Sequence, residues 1–221
     1  MSIYKPESHV AFDIDGITLD TPAEMWKVFT SHLDIPASID SWKEYYIEKQ
    51  LGIPQASLRP LYEPILWRKD LPLVKGAAKA LREFYETTGE PVLFITARRP
   101  QFVESARVSI ERELPDVPIE IVATSEKDSK PGDNSGHHKT DYLVDHGIQL
   151  FIDDHPHSWQ EYIDAGVCVG TLEWPWTKGP AKGMGKGTFR MFKDWEHLYG
   201  AISLGLKWQK LFNEMRSWPS I

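Results

Sequence analysis

Over most of the chain, short apolar runs alternate with segments whose apolar residues recur at helical spacing. Short apolar runs bounded by turn residues are typical of buried strands, whereas a spacing of three or four residues is typical of helices. Strands that alternate with helices predict an α/β fold in which one parallel sheet carries helices on both faces. The predicted strands cover 10–12, 91–95, 119–123, 150–152 and 167–171, and the strand at 167–171 is predicted to be the last. The predicted helices cover 76–88, 100–114, 140–146 and 158–165.

The stretch from 20 to 75 differs, because helical spacing continues through it without a clear strand. It contains two capping boxes, the Ser/Thr-x-x-Glu pattern that marks helix starts. We therefore predict a small helical domain at 20–75, inserted after the first strand of a core that comprises 1–19 and 76–221. The first predicted helix begins at 21–24, with Pro22 in its first turn. The second begins at 41–44 and ends near Gly52. The third covers 58–67 and is interrupted by Pro60 and Pro64.

Beyond the last predicted strand, the pattern predicts a helix over 194–218. The Gly- and Lys-rich segment 178–188 is either a flexible connector or a basic loop that reaches an anionic substrate, and we favour the connector. The polar segment 125–138 is predicted to be an exposed loop. Trp174 and Trp176 could border a pocket, but packing against the sheet edge is the simpler interpretation.

Composition and charge narrow the class of protein. Hydrophobic residues make up 41% of the chain and charged residues 26%, which is typical of a globular protein with a core. We expect no membrane attachment, because no apolar run approaches the roughly 20 residues that span a bilayer. The net charge of −7 disfavours nucleic acid as a partner, but a small anionic substrate held with a metal remains open. The first residues lack the layout of a secretory signal and Cys168 is the only cysteine, so we expect a cytoplasmic location.

Candidate chemistry first occurs where the strand at 10–12 ends, in Asp13-Ile14-Asp15-Gly16. Residues two apart in an extended segment point to the same side, so Asp13 and Asp15 could converge on one point. Two adjacent carboxylates repel each other unless a cation or a proton lies between them. An aspartate-rich turn is the simpler alternative, and this stretch by itself does not decide between the two.

Two further predicted strands also end in polar side chains, which favours a site over a turn. The strand at 91–95 runs into Thr96, and the strand at 150–152 runs into Asp153 and Asp154. Ligands of open parallel sheets bind beyond the carboxyl ends of the strands, so these side chains are expected at one edge. Carboxylates from two strand ends suit Mg²⁺, which commonly joins a protein carboxylate to a substrate phosphate.

These residue types permit phosphoryl transfer. Asp13 could attack phosphorus to form an aspartyl phosphate, while Asp15 protonates the leaving oxygen and then activates water. Thr96 offers a hydroxyl and a backbone N–H to the phosphoryl oxygens. Lys139 is the candidate cation for the transition state, although by itself it would be interpreted as a solvated surface lysine.

The order and context of these residues resemble those of phosphohydrolases of the haloacid dehalogenase (HAD) superfamily over roughly residues 9–172. The matching motifs are Asp13-Ile14-Asp15-Gly16, Thr96 within Phe94-Ile95-Thr96-Ala97-Arg98, Lys139, and the pair Asp153-Asp154. The resemblance implies a three-layer, Rossmann-like core in which Asp13 is the nucleophile and Asp15 the general acid and base. It also implies that 20–75 is a cap. Dehalogenases of the superfamily lack the second aspartate of the first motif, which is Asp15 in this chain.

The resemblance further implies which residues hold Mg²⁺ and the substrate phosphate. The implied metal ligands are Asp13, the backbone carbonyl of Asp15 and Asp153; the implied phosphate-binding residues are Thr96, Ala97 and Lys139; Asp154 and Arg98 support the site. Lys127 or Lys130 could take the place of Lys139, because the polar loop there permits other alignments.

Within the superfamily, the chain resembles the 5′(3′)-deoxyribonucleotidase branch, which includes bacterial nucleotidases. The resemblance is carried by Ile95-Thr96-Ala97-Arg98, by Phe151-Ile152-Asp153-Asp154-His155-Pro156 and by the small helical cap. One departure is that Ile17 follows Gly16, which places Thr18 one position later than the threonine of the commonest form.

On this resemblance we expect a Mg²⁺-dependent 5′-nucleotidase that acts on (deoxy)nucleoside monophosphates. Aromatic residues in 20–75 could stack a nucleobase, but a small domain also needs large side chains for its core. The alternatives are a phosphatase of another small ester, such as a sugar phosphate, or of nucleic-acid 3′-phosphate ends, and, least favoured, a non-enzymatic interaction protein. The Trp-rich C-terminal helix is compatible with a homo-oligomer interface or with ordinary packing.

Overall fold

The computed structural model of the protein describes residues 9–124, 138–185 and 187–216, with side chains to residue 205. The strands in this part are β1 (Val10–Phe12), β2 (Val92–Thr96), β3 (Ile119–Ala123), β4 (Leu150–Ile152), β5 (Cys168–Leu172) and β6 (Phe189–Phe192). The helices are α1 (Thr21–His32), α2 (Ile47–Leu51), α3 (Gln55–Leu66), α4 (Ala77–Thr88), α5 (Val103–Glu113), α6 (Lys139–Asp145), α7 (Trp159–Asp164), α8 (Lys178–Ala181) and α9 (Trp195–Arg216).

The strands form one sheet in the order β3-β2-β1-β4-β5-β6, and each neighbouring pair is parallel. Helices α4, α5 and α9 pack on one face, where Phe12 and Phe94 are buried. Helices α6 and α7 pack on the other face, where Leu93 and Phe151 are buried. The predicted α/β, Rossmann-like sheet with helices on both faces is therefore confirmed.

The direction of winding changes between β1 and β4, which lie side by side at the centre of the sheet. In an open parallel sheet, the crevice beyond the carboxyl ends of two such strands is the usual ligand site. Phe12 pairs with Phe94 of β2 and with Ile152 of β4. The residues that follow β1 and β4 consequently begin at the same level of one sheet edge, where β2 continues two residues further to Thr96.

Residues 20–75 form helices around an aromatic cluster that is separate from both faces of the sheet. Helix α1 begins at Thr21, so Asp20 occupies the N-cap position that the capping box assigned to Thr21. The Thr21 hydroxyl instead lies 3.3 Å from Nη2 of Arg98, outside this segment. The buried members of the cluster are Trp26, Phe29, Trp42, Ile47, Leu58 and, from beyond β5, Trp176.

Two predictions within this segment were wrong in detail. Helix α2 begins at Ile47 and not at 41–44, although it ends at Gly52 as predicted. Gln50 binds the backbone ahead of the helix instead, since its side-chain carbonyl accepts a hydrogen bond from the Lys43 N–H over 2.6 Å. Helix α3 is continuous through both of its prolines, which the sequence predicted to interrupt it.

The sheet also has a strand that was not predicted. Strand β6 pairs with β5, so the predicted strand at 167–171 is not the last. With four residues, including the charged Arg190, an edge strand of this kind has a weak sequence signal. The predicted connector at 178–188 contains α8, and the predicted loop at 125–138 lies, except for His138, outside the described residues. None of the helices in the described part of the chain is both long and apolar enough to cross a membrane.

Candidate active site

The turn that follows β1 is tied to the neighbouring strand and closed by its own side chains. The Asp13 N–H donates to the Ile152 carbonyl over 2.7 Å, and the Thr18 hydroxyl donates to the Asp13 carbonyl over 2.8 Å. Gly16 has a φ of +74°, which glycine adopts without the strain that a Cβ causes. A Cβ at this position would lie 2.7 Å from Cγ of Asp154, so glycine is needed for the close approach of turn and carboxylate.

Three buried carboxylates meet beside this turn. Asp13, Asp153 and Asp154 each present an oxygen within 4.8 Å of the others. Burial raises the pKa of Asp13 to about 8, against the opposing charge of Lys139 and with further increases from neighbouring aspartates. Burial, followed by the charges of nearby aspartates, also raises the pKa of Asp154 well above its ordinary value. The metal-free cluster therefore resists ionisation of all three carboxylates, which a cation between them would relieve, and its hard oxygen donors suit Mg²⁺.

Lys139, the first residue of α6, points into this cluster. Its Nζ lies 3.2 Å from Oδ1 of Asp13 and 3.6 Å from Oδ2 of Asp153. Only 2% of the residue is exposed, so Lys139 is not a solvated surface lysine. The alternatives considered from the sequence, Lys127 and Lys130, lie outside the described residues.

A second ion pair fixes the other aspartate of the first motif. Nε and Nη2 of Arg98 donate to the two carboxylate oxygens of Asp15 over 2.7 and 2.6 Å. Burial favours a higher pKa for Asp15, but the charge and hydrogen bonds of Arg98 outweigh it and hold that pKa below its ordinary value. The sequence indicated Arg98 only as a supporting residue, because a contact across 83 positions leaves no local signal.

The end of β2 supplies Thr96 and Ala97 at the same edge of the sheet. Thr96 is buried, and its hydroxyl oxygen accepts a hydrogen bond from the Arg98 N–H over 3.1 Å. Its carbonyl accepts from the Thr124 N–H over 2.8 Å, which anchors the end of the strand. The hydroxyl of Thr96 can therefore donate its proton to an anion in the cleft.

Groups that the sequence did not indicate hold Asp153 in place. Its Oδ1 accepts from the His155 N–H over 3.1 Å, and its Oδ2 accepts from the Tyr162 hydroxyl over 3.0 Å. The Trp159 indole N–H donates to its carbonyl over 3.1 Å. The only signal in the sequence is the spacing of three between Trp159 and Tyr162, which places both on one face of α7.

All the predicted site residues line one cleft with a volume of about 370 Å³. These residues are Asp13, Asp15, Thr96, Ala97, Arg98, Lys139, Asp153 and Asp154. The segment 20–75 supplies much of the remaining wall, including Trp42 and Tyr62. Trp176 also lines the cleft, so bordering a pocket is the correct interpretation for this residue. Among the described residues, none of 178–188 lines it.

By sequence, the chain matches no family model and no curated protein. Solved structures with the same fold include hydrolases of the HAD superfamily. A HAD family hydrolase from Deinococcus radiodurans R1, solved with bound phosphate and sodium, is similar with a TM-score of 0.56 at 17% identity over 92% of this chain and 98% of that chain.

A second similar structure is the D,D-heptose 1,7-bisphosphate phosphatase of B. bronchiseptica, complexed with magnesium and phosphate. It is 11% identical with a TM-score of 0.51 over 89% of this chain and 98% of that chain. A dehalogenase is also similar, with a TM-score of 0.54 at 11% identity over 87% of this chain and 95% of that chain. At such identities the similarity shows the fold alone, which these phosphatases and dehalogenases share.

Proposed function

We propose that the protein is a Mg²⁺-dependent phosphomonoesterase that forms an aspartyl phosphate on Asp13. The observation that carries this proposal is the meeting of three buried carboxylates with the ammonium of Lys139 in one cleft. A structural neighbour that is a phosphatase was solved with magnesium and phosphate, which is in keeping with this chemistry.

Attack on phosphorus falls to Asp13, because Lys139 holds its Oδ1 and leaves Oδ2 to approach the substrate. The new Oδ2–P bond forms as the bond from phosphorus to the ester oxygen breaks. The Lys139 ammonium offsets the charge that develops on the phosphoryl oxygens. The Thr96 hydroxyl and the Ala97 N–H bind those oxygens from the end of β2.

Proton transfer falls to Asp15, which first donates a proton to the leaving oxygen and then accepts one from the hydrolytic water. In this structure, the ion pair with Arg98 favours the ionised form of Asp15. A phosphoryl group in the cleft would compete for the Arg98 guanidinium, since planar guanidinium groups bind such anions strongly. That competition would let Asp15 take up the proton that it must donate.

The donor set fits a Mg²⁺ ion. Lys139 and Arg98 balance two of the four aspartates in the cleft, so a divalent cation would balance the other two. The proposed ligands are Asp13, Asp153 and the backbone carbonyl of Asp15, with Asp154 in support. When bound, the ion polarises the phosphoryl group and orients it for in-line attack.

We further propose that residues 20–75 form a cap over a core of 1–19 and 76–221. The segment has an aromatic cluster of its own, distinct from the two cores on the faces of the sheet. It also supplies much of the wall of the cleft that contains the carboxylates. A cap in this position would choose the leaving group, while the sheet edge performs the chemistry.

The substrate that we propose is a (deoxy)nucleoside monophosphate. The cleft has room beyond a phosphate group, and aromatic side chains such as Trp42 and Tyr62 line it. A sugar phosphate is the second candidate, because Arg59 and Glu63 also line the wall and could bind hydroxyl groups. Asp15 argues against a dehalogenase, and the single Cys168 favours a cytoplasmic location.

The test is phosphate release from a panel of esters, measured with Mg²⁺ and again with excess chelator. The panel contains nucleoside 5′- and 3′-monophosphates, sugar phosphates, a 3′-phosphorylated oligonucleotide and a generic aryl phosphate. We expect the highest kcat/KM for a nucleoside monophosphate and loss of activity with chelator. Full activity in chelator would contradict the mechanism, whereas faster turnover of a sugar phosphate would contradict only the substrate.

A further inference from the structure

Two indole groups hold the turn that carries Asp15. The Trp174 Nε1–H donates to the Gly16 carbonyl over 2.5 Å, and the Trp195 Nε1–H donates to the Ile17 carbonyl over 2.8 Å. Trp195 belongs to α9 and packs in the core of the sheet. Trp174 has no comparable core position, because it is only partly buried and lies between the sheet and the segment 20–75.

The ring of Trp174 is in turn positioned by a column of indoles. It stacks on Trp176 with 5.0 Å between ring centroids and 5° between planes. Trp176 lies 4.9 Å from Trp42, and Trp42 stacks at 5.5 Å on Trp26 of α1. The column therefore runs without a break from α1, through the cleft wall, to the carbonyl next to Asp15.

The backbone at the Trp174 end of the column is fixed to the sheet. The Thr177 hydroxyl accepts from the Trp174 N–H over 2.9 Å and lies 2.9 Å from the Leu172 carbonyl of β5, to which it donates. The backbone of Trp174 is thus fixed by its hydrogen bond with Thr177, whereas its ring is positioned by stacking on Trp176. A shift of the segment 20–75 would act on the ring of Trp174 more than on its backbone.

We propose that Trp174 is a positioning residue for the turn at Asp15 and Gly16. Through it, the indole column couples the packing of the segment 20–75 on the core to the orientation of that turn. When the segment is seated, the column holds the Trp174 N–H against the Gly16 carbonyl and aligns Asp15 with the cleft. When the segment lifts, the turn loses this hydrogen bond. The inference rests on the proposed function for its catalytic consequence, but the coupling itself is a property of the fold.

The first test is Trp174→Phe, which keeps an aromatic ring but removes the N–H. We expect kcat for an aryl phosphate to fall about tenfold with KM nearly unchanged, because small misplacements of a reacting group slow the chemical step more than binding. Trp67→Phe is the matched control, since Trp67 is 55% exposed and lies outside the cleft wall. A Trp174→Phe variant with the kcat of the wild type would overturn the proposal.

The second test is a double-mutant cycle with Trp42→Leu, which breaks the column from the side of the segment and leaves the Trp174 N–H in place. Magnesium binding by calorimetry serves as a readout that needs no turnover, because the carbonyl of Asp15 is a proposed ligand. Each single variant should weaken magnesium binding several-fold, and the double variant should be no weaker than the worse single variant. Additive effects would show two independent sites and would overturn the coupling.

The two proposals fail in different ways. Wild-type protein that binds Mg²⁺ and shows the non-additive cycle, but hydrolyses no phosphate ester, would overturn the proposed function and support the coupling. Wild-type protein that hydrolyses esters, with additive effects in the cycle, would overturn the coupling and leave the function intact. If Trp174→Phe does not fold, Trp176→Leu replaces it in the cycle, because loss of the Trp176 ring breaks the column next to Trp174.

Discussion

Arg98 donates hydrogen bonds to both carboxylate oxygens of Asp15, with Nε 2.7 Å from Oδ2 and Nη2 2.6 Å from Oδ1. Only 2% of the Arg98 side chain is exposed, whereas 32% of the Asp15 side chain is. The pair therefore joins a buried cation to a carboxylate that still reaches the cleft. This geometry sets the protonation state of the residue to which we assign proton transfer.

Replacing Arg98 by lysine should shift the pH dependence of hydrolysis. A lysine ammonium cannot reproduce the two parallel hydrogen bonds, so the pKa of Asp15 should rise from its lowered value. The basic limb of the kcat/KM profile should then move to higher pH, since Asp15 must be protonated to donate to the leaving oxygen in the step that forms the aspartyl phosphate. The measurement is the pH–rate profile of Arg98→Lys, with Arg82→Lys on the surface as the control. Identical profiles would show that Asp15 does not act as the acid.

Asp13→Asn should abolish hydrolysis while it stabilises the metal-free protein. The amide keeps the shape of the carboxylate but is not a nucleophile, so no aspartyl phosphate can form. The same change removes a carboxyl group whose ionisation is disfavoured by burial and by neighbouring aspartates. Phosphate release and the melting temperature in chelator measure the two effects. An active variant would exclude Asp13 as the nucleophile.

The metal-free protein should lose stability as the pH rises. Folding raises the pKa of Asp13 from 3.8 to about 8, so the folded state binds its proton more tightly than the unfolded state does. The resulting stabilisation is fully present below about pH 4 and is lost as the pH rises through about 8. In chelator, the contribution of Asp13 should therefore lower the melting temperature between pH 5 and pH 9.

Mg²⁺ should reverse that loss, because it binds the ionised carboxylates of the folded protein. The melting temperature with and without Mg²⁺ at each pH, measured for the wild type and for Asp13→Asn, isolates the contribution of Asp13. The Asp13→Asn variant should show a flatter pH dependence and a smaller response to Mg²⁺. Equal responses in both proteins would contradict a metal site at this carboxylate.

The fold could be predicted from the sequence because its signals are local and repeated. Apolar runs at β1, β2 and β4 each end in polar residues, and the rule for parallel sheets brings those ends together without knowledge of any contact. The start of α2 could not be predicted in the same way. The capping pattern at 41–44 is local, but Gln50 binds the Lys43 N–H and a helix forms only from Ile47.

The candidate residues of the site could be named from the sequence, but not the partners that set their properties. Lys139 has the pattern of a surface lysine, and only the fold places its Nζ between Asp13 and Asp153. Tyr162 contacts the site from α7, and Trp174 contacts it from the loop that follows β5. Contacts of this kind depend on packing between distant segments, and no local pattern encodes them.

Gly16→Ala should impair the site far more than the same change at a matched glycine. Gly16 and Gly89 both have left-handed backbones, with φ of +74° and +72°, so alanine costs about 1–2 kcal/mol at either position through its backbone conformation. Only at Gly16 would the new Cβ meet a carboxylate, with Cγ of Asp154 at 2.7 Å, whereas nothing lies within 4 Å at Gly89.

The Gly16→Ala variant must therefore displace either the turn or the Asp154 carboxylate, and both carry groups of the proposed magnesium site. We expect a loss of about 100-fold in kcat/KM, in line with a misplacement of roughly 1 Å at a reacting centre, together with weaker magnesium binding. Gly89→Ala should lower the melting temperature by a similar backbone cost but keep its kcat/KM. If both variants lost activity in proportion to their stability, the close approach of Gly16 and Asp154 would have a structural role and no catalytic one.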